Sequence, residues 1–178
     1  LMQGDTCPAC QQHPPHYRAI RSWGVYQGTL REAIHHLKYE KDIGLGEALA
    51  WHLIDLLKEQ DWQVDAVTAI PLSPQRFRER GYNQAGMLAR PLALYIQKPY
   101  LPKALKKIRE TRSQVGLNAV ERRENIDGAF RAEGKLAAGK VFLIVDDVTT
   151  TGATMEGSAK ALLEAGAAAV YGLTLARP

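Results

Sequence analysis

The sequence predicts an α/β protein built on a mostly parallel, twisted sheet flanked by helices. Three short segments rich in Val, Ile, Leu and Ala have the length and composition of strands, namely 64–70, 141–145 and 169–175. Between them lie segments whose apolar residues recur at helical spacing, and this alternation of strands and helices is typical of a parallel sheet. The unbroken apolar run at 141–145 indicates a strand that is buried on both faces.

The composition excludes several classes of protein. The chain has 178 residues, of which 46% are hydrophobic and 24% charged. These proportions exclude a disordered or collagen-like chain, and the length is that of one domain with at most a small appendage. No apolar run approaches the roughly 18 residues of a membrane-spanning helix, and the N-terminus lacks the plan of a signal peptide. Because the two cysteines indicate a reducing compartment, we expect a cytoplasmic protein without membrane contact.

The first half of the chain is predicted to contain a separate N-terminal segment, three helices and one strand. Residues 1–22 hold both cysteines but no periodic apolar pattern, so they are expected to precede a domain at 23–178. Apolar spacing predicts helices around 30–37 and after Gly44. A third helix begins at Asn83, a residue suited to a helix N-cap, and an arginine-rich loop precedes it.

The second half contains a cationic segment and the last helix. Nine basic and four acidic residues fall between 98 and 131, although the net charge of the whole chain is only +4. This stretch lacks apolar periodicity, and we predict a flexible loop at about 103–124. A cationic loop indicates an anionic partner, either a phosphate compound or nucleic acid, and a solvated basic loop is the alternative. The last helix is predicted to end at Gly166, before the final strand.

The most informative segment follows the strand at 141–145. Asp146 and Asp147 come next, at the carboxyl edge of the sheet, where open α/β sheets bind their ligands. The chain then turns into a helix through a run that we call the threonine loop, which consists of Thr149, Thr150, Thr151, Gly152, Ala153 and Thr154. Backbone N–H groups at such a turn bind phosphate, and acids beside it are expected to face hydroxyl groups or a metal ion. A ribose 5-phosphate meets both requirements.

Two other nucleotide-binding classes are excluded by their motifs. The chain has neither the G-x-x-x-x-G-K-[ST] of a P-loop nor the G-x-G-x-x-G of a dinucleotide-binding fold. The remaining alternative is that Asp147 and a threonine only cap the last helix. Capping does not require two acids and a Thr-Thr-Thr-Gly run after a buried strand, so we favour a binding site. The histidines of the predicted helices are interpreted as surface or packing residues, and Lys38 is only a weak candidate for the site.

The segment from 141 to 154 resembles the phosphoribosyl pyrophosphate (PRPP) signature of type I phosphoribosyltransferases. Further segments resemble the ComF family, phosphoribosyltransferase-like proteins associated with bacterial competence; they lie at 70–72, 76–84, 109–114 and 122–130. The resemblance extends from about residue 7 to residue 177. It implies a type I phosphoribosyltransferase fold. It also implies transfer of phosphoribose from PRPP to a base or amine acceptor, which the resemblance does not identify, with release of pyrophosphate.

The resemblance also implies roles for particular residues. Asp146 and Asp147 would hold the ribose hydroxyls, directly or with Mg²⁺ nearby, and the threonine loop would hold the 5-phosphate. Arg109 joins the two aspartates as a candidate catalytic residue. The pyrophosphate loop would contain Pro71, Leu72 and Arg76, and the flexible loop would contain Lys106, Lys107, Arg109, Thr111, Arg112 and Gln114. Mg²⁺ would bind together with PRPP and offset its negative charge.

A second hypothesis is a protein that binds PRPP without catalysis. It would act as a sensor or adaptor linked to competence and DNA uptake, with single-stranded DNA or competence proteins as partners. Aromatic residues, on which the bases of DNA stack, are sparse between 103 and 124. A loop that closes over a substrate serves catalysis rather than sensing, so the enzyme is favoured.

Cys7 and Cys10 are spaced as one half of a zinc site. The resemblance implies a four-cysteine zinc module in the family, and its second pair would precede Leu1 in a chain that is cut at this point. His13 and His16 offer an alternative second pair of ligands, although the spacing is tighter than usual. Two free thiols without zinc are the other alternative.

Overall fold

The computed structural model describes residues 14–40, 42–109, 126 and 128–178. Within these residues the chain forms six strands and six helices, numbered here in chain order. They are β1 (Ala19–Val25), α1 (Gly28–Tyr39), α2 (Gly44–Lys58), β2 (Ala66–Ala69), α3 (Pro74–Arg80), α4 (Gln84–Tyr95), β3 (Leu105–Lys107), β4 (Phe130–Ala132), α5 (Gly134–Ala137), β5 (Val141–Val148), α6 (Ala153–Glu164) and β6 (Ala169–Arg177). No helix in this part of the chain has the length and apolar character needed to cross a membrane.

Four of the strands form a parallel sheet in the order β1-β6-β5-β2. The prediction of a parallel α/β sheet is therefore confirmed, and the three predicted strands are found as β2, β5 and β6. Because all four strands run in the same direction, the C-terminal ends of β2, β5 and β6 meet at one edge of the sheet. This is the edge at which sheets of this class bind ligands.

Each face of the sheet is covered by its own apolar core. On one face α1, α2 and α4 pack against Leu143 and Val145 of β5. On the other face α6 and the strands β3 and β4 pack against Phe142 and Ile144. Successive residues of β5 thus face opposite cores, as the pleat of a strand requires. The same alternation decides where the two acids at the end of β5 point.

A small antiparallel sheet, β3–β4, begins where the sequence predicts a flexible loop. Leu105 starts β3 and is buried in the core beside α6, so the first residues of the predicted loop are a strand. The single buried leucine in a run of lysines is too short a pattern to predict it. Residues 110–124 of the predicted loop lie outside the described residues. They include three of the residues assigned to the flexible loop, Thr111, Arg112 and Gln114.

Strand β1 lies at an edge of the sheet, where the sequence predicts only the start of the main domain. It pairs in parallel with β6, with Ala19 opposite Tyr171. The predicted boundary after residue 22 therefore falls inside this strand. β1 contains Arg21 and Ser22, and most of its side chains are partly or fully exposed, so its composition is closer to that of a loop than of a buried strand.

The arginine-rich stretch between β2 and α4 is the helix α3, not the predicted loop. Ser73 is its N-cap and accepts a hydrogen bond from the N–H of Arg76 at 3.4 Å. Pro74 occupies the first helical turn, and Gly81 ends the helix with φ 85°. α3 buries none of its own side chains, so no apolar periodicity marks it in the sequence.

Helix α4 begins as predicted and continues through Pro91. Asn83 is its N-cap, and the Asn83 Oδ1 accepts a hydrogen bond from the N–H of Ala85 at 3.1 Å. Helix α2 packs closely against α4 at Gly46. A Cβ on this residue would lie only 2.6 Å from the Cβ of Met87, too close for any side chain larger than that of glycine. The glycine thus allows the two helices to approach each other beneath the sheet edge.

Candidate functional site

Asp146 and Asp147 lie at the C-terminal end of β5, but within the strand rather than after it. β5 extends to Val148, and Asp146 lies opposite Thr174 of β6. By strand alternation, Asp147 points toward the core of α1, α2 and α4, and Asp146 points toward α6. The two acids that the sequence predicts to act together therefore approach the sheet edge from its two faces.

The Asp147 carboxylate forms a salt bridge with Lys38, a residue that the sequence marks only weakly. Asp147 is 3% exposed, and the Lys38 Nζ at the end of α1 lies 2.9 Å from its Oδ1. Among the described residues, no partner contacts the buried second oxygen, Oδ2. A buried acceptor without a donor is costly. Within the described residues, the Asp147 Oδ2 therefore has a vacant acceptor position.

The pKa of Asp146 is raised from 3.8 to about 8. Burial is the main cause, and the neighbouring Asp147 carboxylate adds to it. Lys38, the N–H of Asp147 and Lys107 of β3 act in the opposite direction, and that N–H donates to the Asp146 Oδ1 at 2.9 Å. A carboxyl group of this kind resists ionisation. Hydroxyl donors or a cation would stabilise its anion.

The threonine loop leads from β5 into the N-terminus of α6. Gly152 has φ 79°, a left-handed conformation that favours glycine. The Thr151 Oγ1 accepts a hydrogen bond from the N–H of Ala153 at 3.4 Å, whereas the N–H of Thr149 donates to the Ala176 carbonyl at 2.9 Å. In the described part of the chain no acceptor contacts the N–H groups of Thr151 and Gly152. They lie beside the positive end of the α6 dipole and are placed for an anion.

The residues before β1 lie against this loop, which the sequence does not predict. The N–H of His16 donates to the Glu156 Oε2 at 2.9 Å, and the His16 Nδ1 lies 2.5 Å from the Oε1 of the same carboxylate, in the first turn of α6. Tyr17 is also close, since its Oη would lie 3.2 Å from a Cβ on Gly152. Residues 16 and 17 thus lie next to the threonine loop and the first turn of α6.

The predicted zinc ligands cannot be compared with the structure, apart from His16. The others, Cys7, Cys10 and His13, lie outside the described residues. Within the described ranges, no three side chains of His, Cys, Asp or Glu are grouped so that they could hold a metal ion. The zinc assignment therefore stays a prediction.

The predicted pyrophosphate loop follows β2 at the same edge of the sheet. Pro71 and Leu72 are partly buried and lead into α3. Asn83 fixes the start of this loop, because its Nδ2 donates to the carbonyl of Ile70 at 2.9 Å. The next residue assigned to the loop, Arg76, is exposed on α3. The sequence thus predicts the position of the loop but not the helix that presents its arginine.

An open cavity of about 330 Å³ lies between the end of α1 and α3. Its lining contains three cationic side chains and one acidic one, and the residues are Lys38, Tyr39, Arg76, Glu79 and Arg80. The aspartates are not among its lining residues, and Lys38, which contacts Asp147, lies between the cavity and that carboxylate. A cavity with a positive balance at this edge favours an anionic ligand group.

Among the residues assigned to the flexible loop, Lys107 is one whose charge acts on the acid pair. It lies in β3 and lowers the pKa of Asp146, against the larger effects of burial and of Asp147. Lys106 is exposed on the same strand, and Arg109 is exposed two residues beyond it. The roles assigned to Lys106 and Arg109 stay predictions.

Two solved structures are similar to part of this chain. A glutamine PRPP amidotransferase from B. subtilis, complexed with ADP and GMP, has a TM-score of 0.47 and 23% sequence identity, covering 79% of this chain and 26% of that one. An allosteric regulatory enzyme of purine biosynthesis has a TM-score of 0.48 and 23% identity, covering 72% of this chain and 25% of that one.

Sequence comparison shows the family. Residues 79–177, more than half of the chain, match the Phosphoribosyl transferase domain family. The DNA utilization protein YhgH of Escherichia coli K12 is 34% identical over 176 residues, which cover 96% of this chain and 77% of that protein. Competence protein F of Haemophilus influenzae is 30% identical over 179 residues, with coverages of 96% and 78%. Competence protein ComFC of Streptococcus pneumoniae is 31% identical over 154 residues, with coverages of 86% and 66%. The chain therefore belongs to the ComF family and contains a phosphoribosyltransferase domain.

Proposed function

We propose that the protein is a phosphoribosyltransferase, which takes phosphoribose from PRPP, releases pyrophosphate and transfers the sugar to a base or amine acceptor. The observation that carries the proposal is the buried Asp147 Oδ2, which has no partner among the described residues. Native proteins rarely leave a buried polar atom unsatisfied without a functional reason. A sugar hydroxyl would supply the missing donor.

The 5-phosphate would bind at the threonine loop. The N–H groups of Thr151 and Gly152 have no acceptor within the described residues, and the first turn of α6 adds the positive end of its dipole. Thr149 would contribute only its hydroxyl, because its N–H is bonded to Ala176. Phosphate at a helix N-terminus needs no additional lysine or arginine, which agrees with the composition of the loop.

The ribose would lie between the threonine loop and the acid pair. Its 2′ and 3′ hydroxyls would donate to the carboxylates of Asp147 and Asp146. Hydrogen bonds from these hydroxyls would stabilise the Asp146 anion and so favour its ionisation, whereas burial raises its pKa. The pyrophosphate would extend into the cavity lined by Arg76 and Arg80, where the cations balance its charge.

The acid pair also fits Mg²⁺ that binds together with PRPP. Two carboxylates are few for an ion held by protein alone, whereas Mg²⁺ in phosphate-transfer sites keeps its waters and uses substrate oxygens with one or two carboxylates. Asp146 and Asp147 would contact the waters of such an ion, which supplies positive charge to the pyrophosphate group. No zinc chemistry is needed at this site. Zinc at Cys7 and Cys10 remains a separate proposal for the N-terminus.

The reaction itself would depend on position and electrostatics. The bond from C1 of the ribose to the pyrophosphate oxygen breaks with its electron pair leaving on the pyrophosphate. The acceptor nitrogen forms the new bond to C1 and loses its proton to solvent or to the departing pyrophosphate. Negative charge grows on the leaving group and is offset by Arg76 and Arg80, while positive charge grows on the sugar beside Asp147. Holding the phosphate and hydroxyls at fixed points limits the motion of the sugar and aligns it with the acceptor. Lys107 and Arg109 would add cations from the side of β3.

The relatives' names favour a second candidate function. YhgH is called a DNA utilization protein, and two other relatives are called competence proteins. The alternative is a protein that binds PRPP without turning it over and acts as a sensor or adaptor in DNA uptake, with single-stranded DNA or competence proteins as partners. Either protein would act in the reducing compartment that the two cysteines indicate, the cytoplasm.

A pyrophosphate-release assay distinguishes the two functions. The protein is incubated with PRPP and Mg²⁺ together with single purine or pyrimidine bases, ammonia or small amines, and free pyrophosphate is measured. We expect release with one class of acceptor, and its loss in the double variant Asp146→Asn/Asp147→Asn. Asp55→Asn is the matched control, because it makes the same change at an exposed carboxylate of α2. Binding of PRPP without release on any acceptor would support the sensor, and no binding of PRPP would refute both.

A further inference from the structure

The salt bridge between Lys38 and Asp147 is unusual for its burial. The side chain of Lys38 is 19% exposed and that of Asp147 is 5% exposed, and their Nζ and Oδ1 lie 2.9 Å apart. Lysine is rarely buried to this extent. A buried pair also costs the hydration of two ions, and apolar residues of similar size commonly give equal or higher stability. Its presence at the sheet edge therefore calls for a functional reason.

Lys38 is positively charged at neutral pH. Burial by itself lowers the pKa of Lys38, but the Asp147 carboxylate, which also accepts its hydrogen bond, and Asp146 behind it raise the pKa above the ordinary 10.5. The ammonium group has three donors. Within the described residues it contacts one acceptor, Asp147, so further donors remain for a ligand.

The end of α1 is held in place next to the cavity. The hydroxyl of Tyr82, which is 8% exposed, donates to the carbonyl of Leu37, the residue before Lys38. The contact joins the last turn of α1 to the residues that precede α4. Lys38 is thus a fixed cation rather than a mobile surface lysine, and fixed donors bind a ligand with a smaller loss of entropy.

The other cations of the cavity are arranged around the same space. Arg80 donates to Gln84 and lies over the ring of Tyr39, with its Cζ 5.4 Å from the ring centroid. Arg76 is exposed and lines the cavity from one turn earlier in α3. Lys38 therefore adds a third cation to the lining of the cavity, and it also contacts Asp147.

On the basis of the proposed function, we infer that Lys38 binds the pyrophosphate group of PRPP while it positions the Asp147 carboxylate for the ribose. One N–H of its ammonium group holds the Asp147 Oδ1, and its other N–H groups face the anion in the cavity of Arg76 and Arg80. The residue thereby links the two halves of the substrate. Its loss weakens the binding of both halves, whereas the loss of Asp147 weakens the binding of the sugar more than that of pyrophosphate.

The test compares two halves of the substrate in calorimetry with Mg²⁺: inorganic pyrophosphate and ribose 5-phosphate. For Lys38→Met we expect the affinity for pyrophosphate to fall at least tenfold, and the affinity for ribose 5-phosphate to fall as well. For Asp147→Asn we expect a larger loss with ribose 5-phosphate than with pyrophosphate. Lys38→Arg keeps the charge and restores part of the pyrophosphate affinity. Lys58→Met is the matched control, since Lys58 forms a salt bridge of the same length, 2.9 Å, with the exposed Asp55.

A second measurement on the unmodified protein covers the case in which Lys38→Met does not fold. Reductive methylation of lysines is followed by mass spectrometry with and without pyrophosphate and Mg²⁺. Pyrophosphate is expected to protect Lys38 and to leave Lys58 unchanged. Unchanged labelling of Lys38, or a Lys38→Met variant that loses only ribose 5-phosphate affinity, would overturn the inference and leave the proposed function intact. If the unmodified protein binds neither PRPP nor pyrophosphate, the proposed function itself fails.

Discussion

Asp146 is expected to make the stability of the empty protein depend on pH, and Asp146→Asn is expected to remove that dependence. The pKa of Asp146 is raised from 3.8 to about 8 in the folded protein, by burial and by the Asp147 carboxylate. Between these values the folded state holds a proton that the unfolded state has lost, so the free energy of unfolding falls as the pH rises from about 4 to about 8. Asparagine has the same shape but does not ionise.

The magnitude follows from the size of this shift. From pH 5 to pH 8, three pH units at about 1.4 kcal/mol each set a limit of about 4 kcal/mol. Because the Asp146 side chain is only partly buried, solvent screening reduces this, and we expect about 2 kcal/mol. Relative to the unmodified protein, Asp146→Asn thus gains about 2 kcal/mol between pH 5 and pH 8. For a chain of this size that corresponds to roughly 4–8 °C in the midpoint of thermal unfolding.

The assay is thermal or urea unfolding at several pH values from 5 to 8, followed by circular dichroism, without ligand or metal. Asp55→Asn provides the control, since an exposed substitution on α2 is expected to change stability by less than about 0.5 kcal/mol throughout. If the difference between Asp146→Asn and the unmodified protein stays constant over this range, the carboxyl group is not perturbed as described. If it shrinks toward pH 8, the sign of the shift is wrong.

Two further substitutions test the phosphate and pyrophosphate ends of the site. Gly152→Ala is expected to cost about 1–3 kcal/mol in unfolding experiments, because its φ is 79° and its Cβ would meet the Tyr17 hydroxyl at 3.2 Å. The same substitution should also weaken the binding of ribose 5-phosphate. Gly139→Ala is the control: its φ is 72° and no atom lies near its Cβ, so it should alter stability alone. Arg76→Ala is expected to lower pyrophosphate affinity roughly tenfold, about 1.4 kcal/mol, with little change in stability. Arg78→Ala on the same exposed helix does not line the cavity and should leave affinity unchanged; equal losses in both would contradict the assignment.

The sequence predicts the parallel sheet and the threonine loop because both are local patterns. The apolar run at 141–145 and the acids after it need no knowledge of the rest of the chain, and they appear at the predicted edge of the sheet. Asn83 is a similar case, since a residue that caps its own helix is identified from its immediate neighbours.

Other features could not be predicted because they depend on partners distant in sequence. Lys38 becomes a site residue only when α1 packs across the end of β5, more than a hundred residues later in the chain. One signal was present: Lys38 follows Leu37 at the buried face of its helix, where a charged residue needs a partner. β1 and α3 lack apolar periodicity, since one is an edge strand and the other buries no side chain.

The opposite directions of the two acids follow from how far β5 extends. The apolar run ends at 145, but pairing with β6 continues to Val148. Hydrogen bonding between strands, and not side-chain composition, sets that limit. It places Asp147 with Lys38 on one face and Asp146 on the other, and both Lys38 and, less strongly, Lys107 lower the pKa of Asp146.

Calorimetric titration of PRPP in the presence of Mg²⁺ tests the central claim most directly, with the unmodified protein beside the Asp146→Asn/Asp147→Asn variant. Two lost charge-assisted hydrogen bonds, each worth about 1.5–3 kcal/mol, predict at least a hundredfold weaker binding by the variant, with circular dichroism showing that it remains folded. Equal affinity in the two proteins, or no heat of binding in the unmodified one, would contradict a phosphoribose site at the end of β5.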